Sequence, residues 1–487
     1  MNGDYSRVER MAAAAGTGGL ERRLIDTNVH VTCDPVRSDL VPVVRLLVED
    51  LRKLPVGLSA DVADHELARD LATISAGIDP DRPLRVGPRP EGAIAVHVGT
   101  RPPPTVLASA VPDGHGVRLR PGGAYPSPVA PATGLGIVLT ASALAAEVFK
   151  VAVGLGPDNA APVRPWDFDP VTLTSPGPEP WRLPEITEVT LIGCGAIGTA
   201  IARILGLLDA RGGLTVVDPQ TFEDPNLMTY SLGSRADVHL NRQKTTLVAA
   251  ALPSMDVTTF TGTADDYLRA IDAGNAHPPR LVINGLDSID ARHEANRLRA
   301  DVVIDASTGG AAGTTIGLRK AYVHGPCLDC YYPHVPRAGF DLASATGLPA
   351  YLLADGNTEL TDDVIALAAP DKQGALLAHR GARVCALASL MGLVPDAGDY
   401  RPSAVFVAQQ AAALAVGALV RTLNGVDGDV GYEIEYDVRY GWYGDAKVLR
   451  RPDPRCGCQT DRELIDGVRR VRYGRSPGAR PSLPRVP

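Results

Sequence analysis

The pattern of apolar and polar positions is most informative over residues 187–227, where it switches from strand-like to helical and back. Thr187–Ile192 is an apolar-rich run suited to a buried strand, and Ala196–Leu208 has helical spacing with small residues near its start. A second strand-like run ends in the acid Asp218. Gly193, Gly195 and Gly198 form GxGxxG between the first strand and the helix. Such a turn lets the backbone approach a phosphate, whose charge settles on the free N–H groups of the helix N-terminus. A carboxylate at the end of the second strand can accept hydrogen bonds from ribose hydroxyls. The glycines alone could equally make a packing turn; the flanking strand, helix and acid favour nucleotide binding.

The pattern then predicts a helix opening at Lys244 (KTTLVAAAL) and a strand over Leu281–Asn284 that leads into GLDSIDAR, placing Asp287 at a strand's carboxyl end. Leu40–Leu54 has helical periodicity and Gly92–Val98 strand character, and residues 140–155 and 408–423 read as buried or amphipathic helices. The stretch STGGAAGTTIG after Asp305 reads either as a loop passing close to the ligand or as a flexible turn. Residues 336–382 lack a clear period and read as a crossover or lid segment; residues 432–448 look like strands. Proline-rich stretches (RPPPTV, SPGPEPWRLP) punctuate the first 180 residues. The predicted organisation is an N-terminal α/β accessory domain over 1–162, a linker over 163–183, a doubly wound, Rossmann-like α/β domain over 184–460, and a basic, proline-rich tail over 461–487 expected to be disordered.

A lysine near the phosphates and a carboxylate placed to hold magnesium suit cleavage of ATP between its α and β phosphates. Hydride transfer needs neither. With GCGAIG, Asp218, Asn226-Leu227, Lys244, Asp287 with Arg292, the CLDC pair, the alanine-rich helix at 404–421 and the late CGC, residues 187–460 resemble the E1-like ThiF/MoeB/HesA adenylyltransferases, which include ubiquitin-activating enzymes. The resemblance implies an adenylation domain that binds ATP and Mg2+ and adenylates the C-terminal carboxylate of a ubiquitin-like or small carrier protein or peptide. It implies that Gly193, Gly195, Gly198, Asp218 and Asn226 bind nucleotide, with Lys244 and Asp287 both binding and catalytic. A homodimer, or an equivalent pairing within one chain, is implied as well. The family pattern NLxRQ reads NLMTY here, so Thr229 stands where the family carries arginine. Three readings follow: Arg242 or Arg235 reaches in by a different path, a partner subunit supplies an arginine, or turnover is impaired.

Cys327 and Cys330 (CxxC) and Cys456 and Cys458 (CxC) fall where the family's zinc ligands fall and can complete a closed tetrahedral Zn2+ site; free thiols or a redox pair at 327/330 are the alternatives. Cys385, in RGARVCALASLMG, is the candidate acyl-accepting nucleophile, against a small buried residue on an apolar helix. Cys194 reads as a space-filler. For the first 162 residues we expect an unrelated accessory domain, with an internal duplication (a degenerate adenylation-like half followed by the active one) as the alternative.

Composition narrows the setting. The chain has 487 residues, enough for two to three domains, with 48 basic against 56 acidic residues and a net charge of −8. That balance, with only 5% aromatics, gives no case for nucleic acid or an anionic membrane surface. The first 20 residues are too polar and broken for a signal peptide, the apolar run Ala411–Val420 is too short to span a bilayer, and seven cysteines do not make a disulfide framework. The expected compartment is the cytoplasm. The rival functions are a pseudo-E1 scaffold without turnover, an NAD- or FAD-dependent oxidoreductase on the same turn, and an adenylating modifier of small peptides or tRNA bases.

Overall fold

The computed structural model describes residues 5, 7–9, 20–35, 38–154, 164–178, 181–309, 313–333, 342–354, 358–382, 384, 387, 404–428, 430–441 and 447–474. Two compact units emerge: one comprises Met1–Tyr332 with Pro402–Pro487, the other Pro333–Arg401.

The larger unit holds two sheets. The first half of the chain contributes β1 (Asn28–Cys33), α1 (Val41–Arg52), β2 (Gly57–Asp61), α2 (His65–Ile78), β3 (Arg85–Val86), β4 (Ile94–Val98), β5 (Ala108–Asp113), β6 (Gly116–Pro121), α3 (Gly134–Val153) and β7 (Trp166–Phe168). The second half contributes β8 (Ile186–Ile192), α4 (Ala196–Leu207), β9 (Gly212–Val217), α5 (Lys244–Ala250), β10 (Met255–Phe260), α6 (Ala264–Asp272), β11 (Leu281–Asn284), α7 (Ile289–Asn296), β12 (Val302–Gly309), β13 (Thr315–Tyr322), α8 (Val405–Leu423), β14 (Tyr432–Asp437), β15 (Lys447–Leu449) and α9 (Arg462–Tyr473). The second sheet runs β10-β9-β8-β11-β12-β13-β14-β15, parallel as far as β12 and antiparallel beyond. It is Rossmann-like, as the glycine turn and strand-end acid predict. The first sheet runs β3-β2-β1-β4-β5-β6-β7, also parallel for its first five strands and antiparallel for the rest. The two orders match strand for strand from β3/β10 to β7/β14, where an unrelated architecture was expected.

One apolar core joins the halves. It takes Leu47 and Leu51 from α1, Leu135, Val138 and Leu144 from α3, Ile201 and Leu205 from α4, and Phe406, Leu414 and Leu419 from α8. Phe149 and Phe406 meet with ring centroids 5.4 Å apart. Gly134 lets α3 approach α4 closely, since a β-carbon there would lie 2.5 Å from the Leu207 backbone. By length and hydropathy α3 and α8 could cross a bilayer, but 78% and 100% of their apolar windows are buried within the chain. They are core helices, longer than the apolar run that the sequence shows.

Three expectations need correction. Residues 462–473, expected to be disordered, form α9: Arg472 pairs with Asp272 at 2.9 Å, the Tyr473 hydroxyl donates to the Leu298 carbonyl at 2.7 Å, and Arg469 pairs with Asp301. Polar anchors hold this helix, so its low hydrophobicity misled. The stretch 163–183 is more than a linker, because Trp166–Phe168 closes the first sheet as β7. Residues 307–309 and 315–317 belong to the antiparallel pair β12–β13. The smaller unit is helical, with Leu342–Thr346, Ala350–Ala354, Asp362–Ile365 and Pro370–Leu377 and a core of Leu348, Leu360, Ile365 and Leu376.

Asp50 of α1 is fully buried and accepts a hydrogen bond from Gln409 of α8 at 2.8 Å. Burial pushes its pKa up to about 7, against the pull of Lys53 and Gln409. The folded chain therefore holds this proton where the unfolded chain has lost it, and stability falls as pH rises from about 4 to about 7. Three pKa units bound the effect at about 4 kcal/mol. Asp50→Asn keeps the acceptor oxygen and removes the charge. Its gain in urea-unfolding stability over wild type should be larger at pH 8 than at pH 5; an equal difference at both would refute the assignment.

Candidate nucleotide and zinc sites

The glycine turn is built by contact between backbones. Gly193 has φ +89°, its N–H donates to the Val217 carbonyl at 2.9 Å, and a β-carbon on it would press on Gly285 at 3.1 Å. A β-carbon on Gly198 would run into the Gly193 carbonyl, which fixes how closely α4 sits against β8. Like α1, α5 and α8, α4 starts without a side-chain cap, and its first residue is preceded by half-buried Gly195, which has no side chain to offer. Its first-turn amides are thus left for an anion, which fits a nucleotide phosphate.

Of the predicted polar residues, Asp218, Lys244 and Asp287 lie by this turn. Asp218 accepts from the Cys194 N–H at 2.7 Å and the Gln220 N–H at 2.8 Å. Burial raises its pKa; the backbone donors and Lys244 oppose the rise. Lys244, 4% exposed at the start of α5, donates to Gln220 Oε1 at 2.7 Å and to the Tyr230 hydroxyl at 2.9 Å. Buried Asn226 accepts from the Glu223 N–H at 3.0 Å, which shapes the short helix Asp224–Leu227. Asp287 is exposed just beyond β11, near enough to Asp218 and Arg292 for its charge to raise the pKa of each.

Beside it lies a polar cluster that the sequence reading did not single out. Fully buried Asp305 accepts from Asn284 Nδ2 at 2.8 Å, Arg292 Nε at 3.0 Å and the Tyr332 hydroxyl at 2.7 Å. Burial raises its pKa, with Arg292 as the strongest opposing charge. The cross-strand register Ile192–Asn284–Asp305 carries this cluster from the turn into the sheet and would have located it had the pairing been known.

Thr229 is fully buried. Neither arginine considered from the sequence serves it: Arg235 donates to the Ile78 carbonyl at 3.1 Å and Arg242 pairs with Asp237 at 2.9 Å. Arg7 reaches Thr229 Oγ1 instead, at 3.4 Å, from the first few residues of the chain.

The four cysteines Cys327, Cys330, Cys456 and Cys458 converge, with all their sulfurs within 4.8 Å of one another and none in a disulfide. Cys327 and Cys456 lie 3.6 Å apart and Cys330 and Cys458 3.5 Å apart. Tetrahedral Zn2+ with Zn–S bonds of about 2.3 Å needs sulfurs about 3.8 Å apart, so the set fits zinc. The Asp453 N–H and the Gln459 side-chain amide each donate to a cluster sulfur at 3.4 Å, as outer-sphere donors to thiolates do. Cys385 lies outside the described residues. Cys194 is wholly buried, and burial lifts its thiol well above the ordinary range, which suits a packing residue.

Residues 181–458 match the ThiF family, and the chain belongs to it. It is 30% identical over 193 residues to the NEDD8-activating enzyme E1 catalytic subunit of Caenorhabditis elegans, spanning 36% of this chain and 43% of that protein. Among solved structures, E. coli MccB with ATP overlaps 55% of this chain and 65% of its own, at 14% identity and TM-score 0.33. The microcin C7 biosynthetic enzyme MccB in complex with N-formylated MccA overlaps 56% and 67%, at 14% identity and TM-score 0.35. These overlaps are loose, and the family assignment stands on the sequence match.

A closed thiolate site stabilises a fold and leaves no position for chemistry. Purified protein should contain about one zinc per chain by elemental analysis. Cys458→Ser should lose the metal and melt at lower temperature; full retention of both metal and melting temperature would argue against the site.

Proposed function

We propose that the chain is an ATP-dependent adenylyltransferase that activates the C-terminal carboxylate of a ubiquitin-like or small carrier protein or peptide. The observation that carries this reading is the gathering of Asp218, Lys244 and Asp287 by an uncapped helix N-terminus at the end of β8. Membership of the ThiF family and the partial match to a NEDD8-activating subunit support the substrate class.

In the proposed reaction a carboxylate oxygen bonds to the α-phosphorus and the bond to the bridging oxygen breaks, releasing pyrophosphate. The α4 amides and Lys244 take the phosphate charge, and the remaining acceptor capacity of Asp218 receives the ribose hydroxyls. Asp287 would hold Mg2+, which supplies further neutralisation of the leaving pyrophosphate. Arg7 brings a guanidinium to the position where the family motif carries arginine, and we assign it the missing charge. Transfer to Cys385 would follow as a separate step.

The first half is taken as a degenerate copy of the second, so the paired arrangement expected of a homodimer forms within one chain. The cytoplasm is the proposed compartment.

Calorimetric titration tests the reading. ATP with Mg2+ should bind in preference to NAD, and Lys244→Ala should weaken ATP about tenfold or more, as expected for loss of a charge-assisted contact. Arg7→Ala should lower the rate of carrier-dependent ATP–pyrophosphate exchange. Preference for a dinucleotide, with no effect of Lys244→Ala, would return the site to an oxidoreductase.

A further inference from the structure

Segment 229–231 passes between the two halves, and residues far away in sequence grip it. Lys53, at the end of α1 and 2% exposed, donates to Glu49 Oε1 at 2.8 Å and to the Tyr230 carbonyl at 2.7 Å. Arg203 of α4 binds the same Glu49 carboxylate through both terminal nitrogens, at 2.7 and 2.9 Å, and also donates to the Ser231 carbonyl. One carboxylate of the first half thus aligns two cations, each capping one of two consecutive carbonyls. Tyr230 belongs to an apolar cluster drawn from both halves, with Tyr5, Ile78, Phe222, Leu227, Met228 and Leu247.

The side chain held this way points into the nucleotide site. The Tyr230 hydroxyl accepts from Lys244 Nζ at 2.9 Å and lies 3.6 Å from where a β-carbon on Gly195 would stand. Its ring packs edge-on against Phe222 at 5.8 Å, and Lys244 Nζ lies 5.1 Å from the ring centroid. A phenol can donate one hydrogen bond while accepting another. The oxygen already accepts from Lys244, and its own proton has no acceptor among the described residues. That proton lies beside a glycine turn whose amides are left for an anion. Lys244 spends two of its three donors on Gln220 and Tyr230, which leaves the third for the same anion.

We propose that Tyr230 donates a hydrogen bond to a phosphate oxygen of the bound nucleotide, and that Lys53 of the first half is the positioning residue that sets it there. The inference rests on the adenylating reading of the site. Tyr230, which stands where the family pattern NLxRQ carries glutamine, then adds a neutral phosphate donor beside the charge assigned to Arg7, and its place depends on the other half of the chain.

The test is nucleotide binding by calorimetry, with ATP–Mg2+ and adenosine as probes, alongside melting temperature. Tyr230→Phe keeps the ring and its packing and removes only the oxygen. It should weaken ATP about tenfold while leaving adenosine binding and melting temperature at wild-type values. Lys53→Met should reproduce the loss of ATP affinity, and Lys53→Arg should restore most of it. A purely structural role would instead move adenosine binding and melting temperature together. ATP binding that falls in Lys244→Ala but is unchanged in Tyr230→Phe and Lys53→Met would overturn this inference and leave the adenylating reading standing. A wild-type chain that binds no ATP would overturn both.

Discussion

The burial of α3 against α8 is the constraint from which the rest of the larger unit follows. An apolar helix of 19 or 20 residues cannot be left in water, and each of these two is covered by its own sheet on one side and by the other helix on the next. Pairing them brings α1 of the first half beside α4 of the second, so Glu49 meets Arg203. Burial alone would raise the Glu49 pKa, but Arg203 and Lys53 outweigh it and hold the carboxylate below its ordinary range. A buried ion pair of this kind adds little to stability by itself, yet losing one partner strands a charge in the core. The halves are therefore tied in one register, and the nucleotide site inherits that register through residues 230 and 231.

What the sequence made legible was the chemistry that needs fixed local spacing. The glycine turn, the acid ending β9, Lys244 opening α5, and the two cysteine pairs depend on neighbours within a few residues, and the structure gathers them as groups. The likeness of the first sheet to the second was hidden because its turn lacks glycines and its outer strands read poorly: β5 holds Pro112, and β6 carries Arg118 and Arg120, which pair with Asp113 and Asp167. α9 was hidden for a related reason, since arginines anchor it. Lys53, Arg7 and Tyr230 could not have been joined from sequence, because contacts spanning 177 and 222 residues create their roles. Asp305 likewise looks like any strand acid until the β11–β12 register sets it between Asn284 and Arg292.

The two halves share a strand order but not a turn, and the difference is physical. Cys33 pairs with Val98 in the first sheet as Ile192 pairs with Asn284 in the second, so Asp34 and Gly99 stand where Gly193 and Gly285 stand. In the second half the turn is bare backbone beside an uncapped helix. In the first, the Asp34 carboxylate lies against Gly99, where any β-carbon would clash, and accepts from the Thr100 and Arg101 N–H groups at 2.6 and 3.0 Å, the Thr100 hydroxyl at 2.9 Å and His97 Nε2 at 3.0 Å. Burial would raise its pKa, but these donors, led by Thr100, hold it below the ordinary carboxylate range. The first half thus carries its own anion where the second half leaves room for a phosphate. A fixed negative charge there repels a nucleotide as well as occupying its place. In the first half α1 instead presents Glu49 and Lys53 to the segment 230–231, the carboxylate reaching it through Arg203.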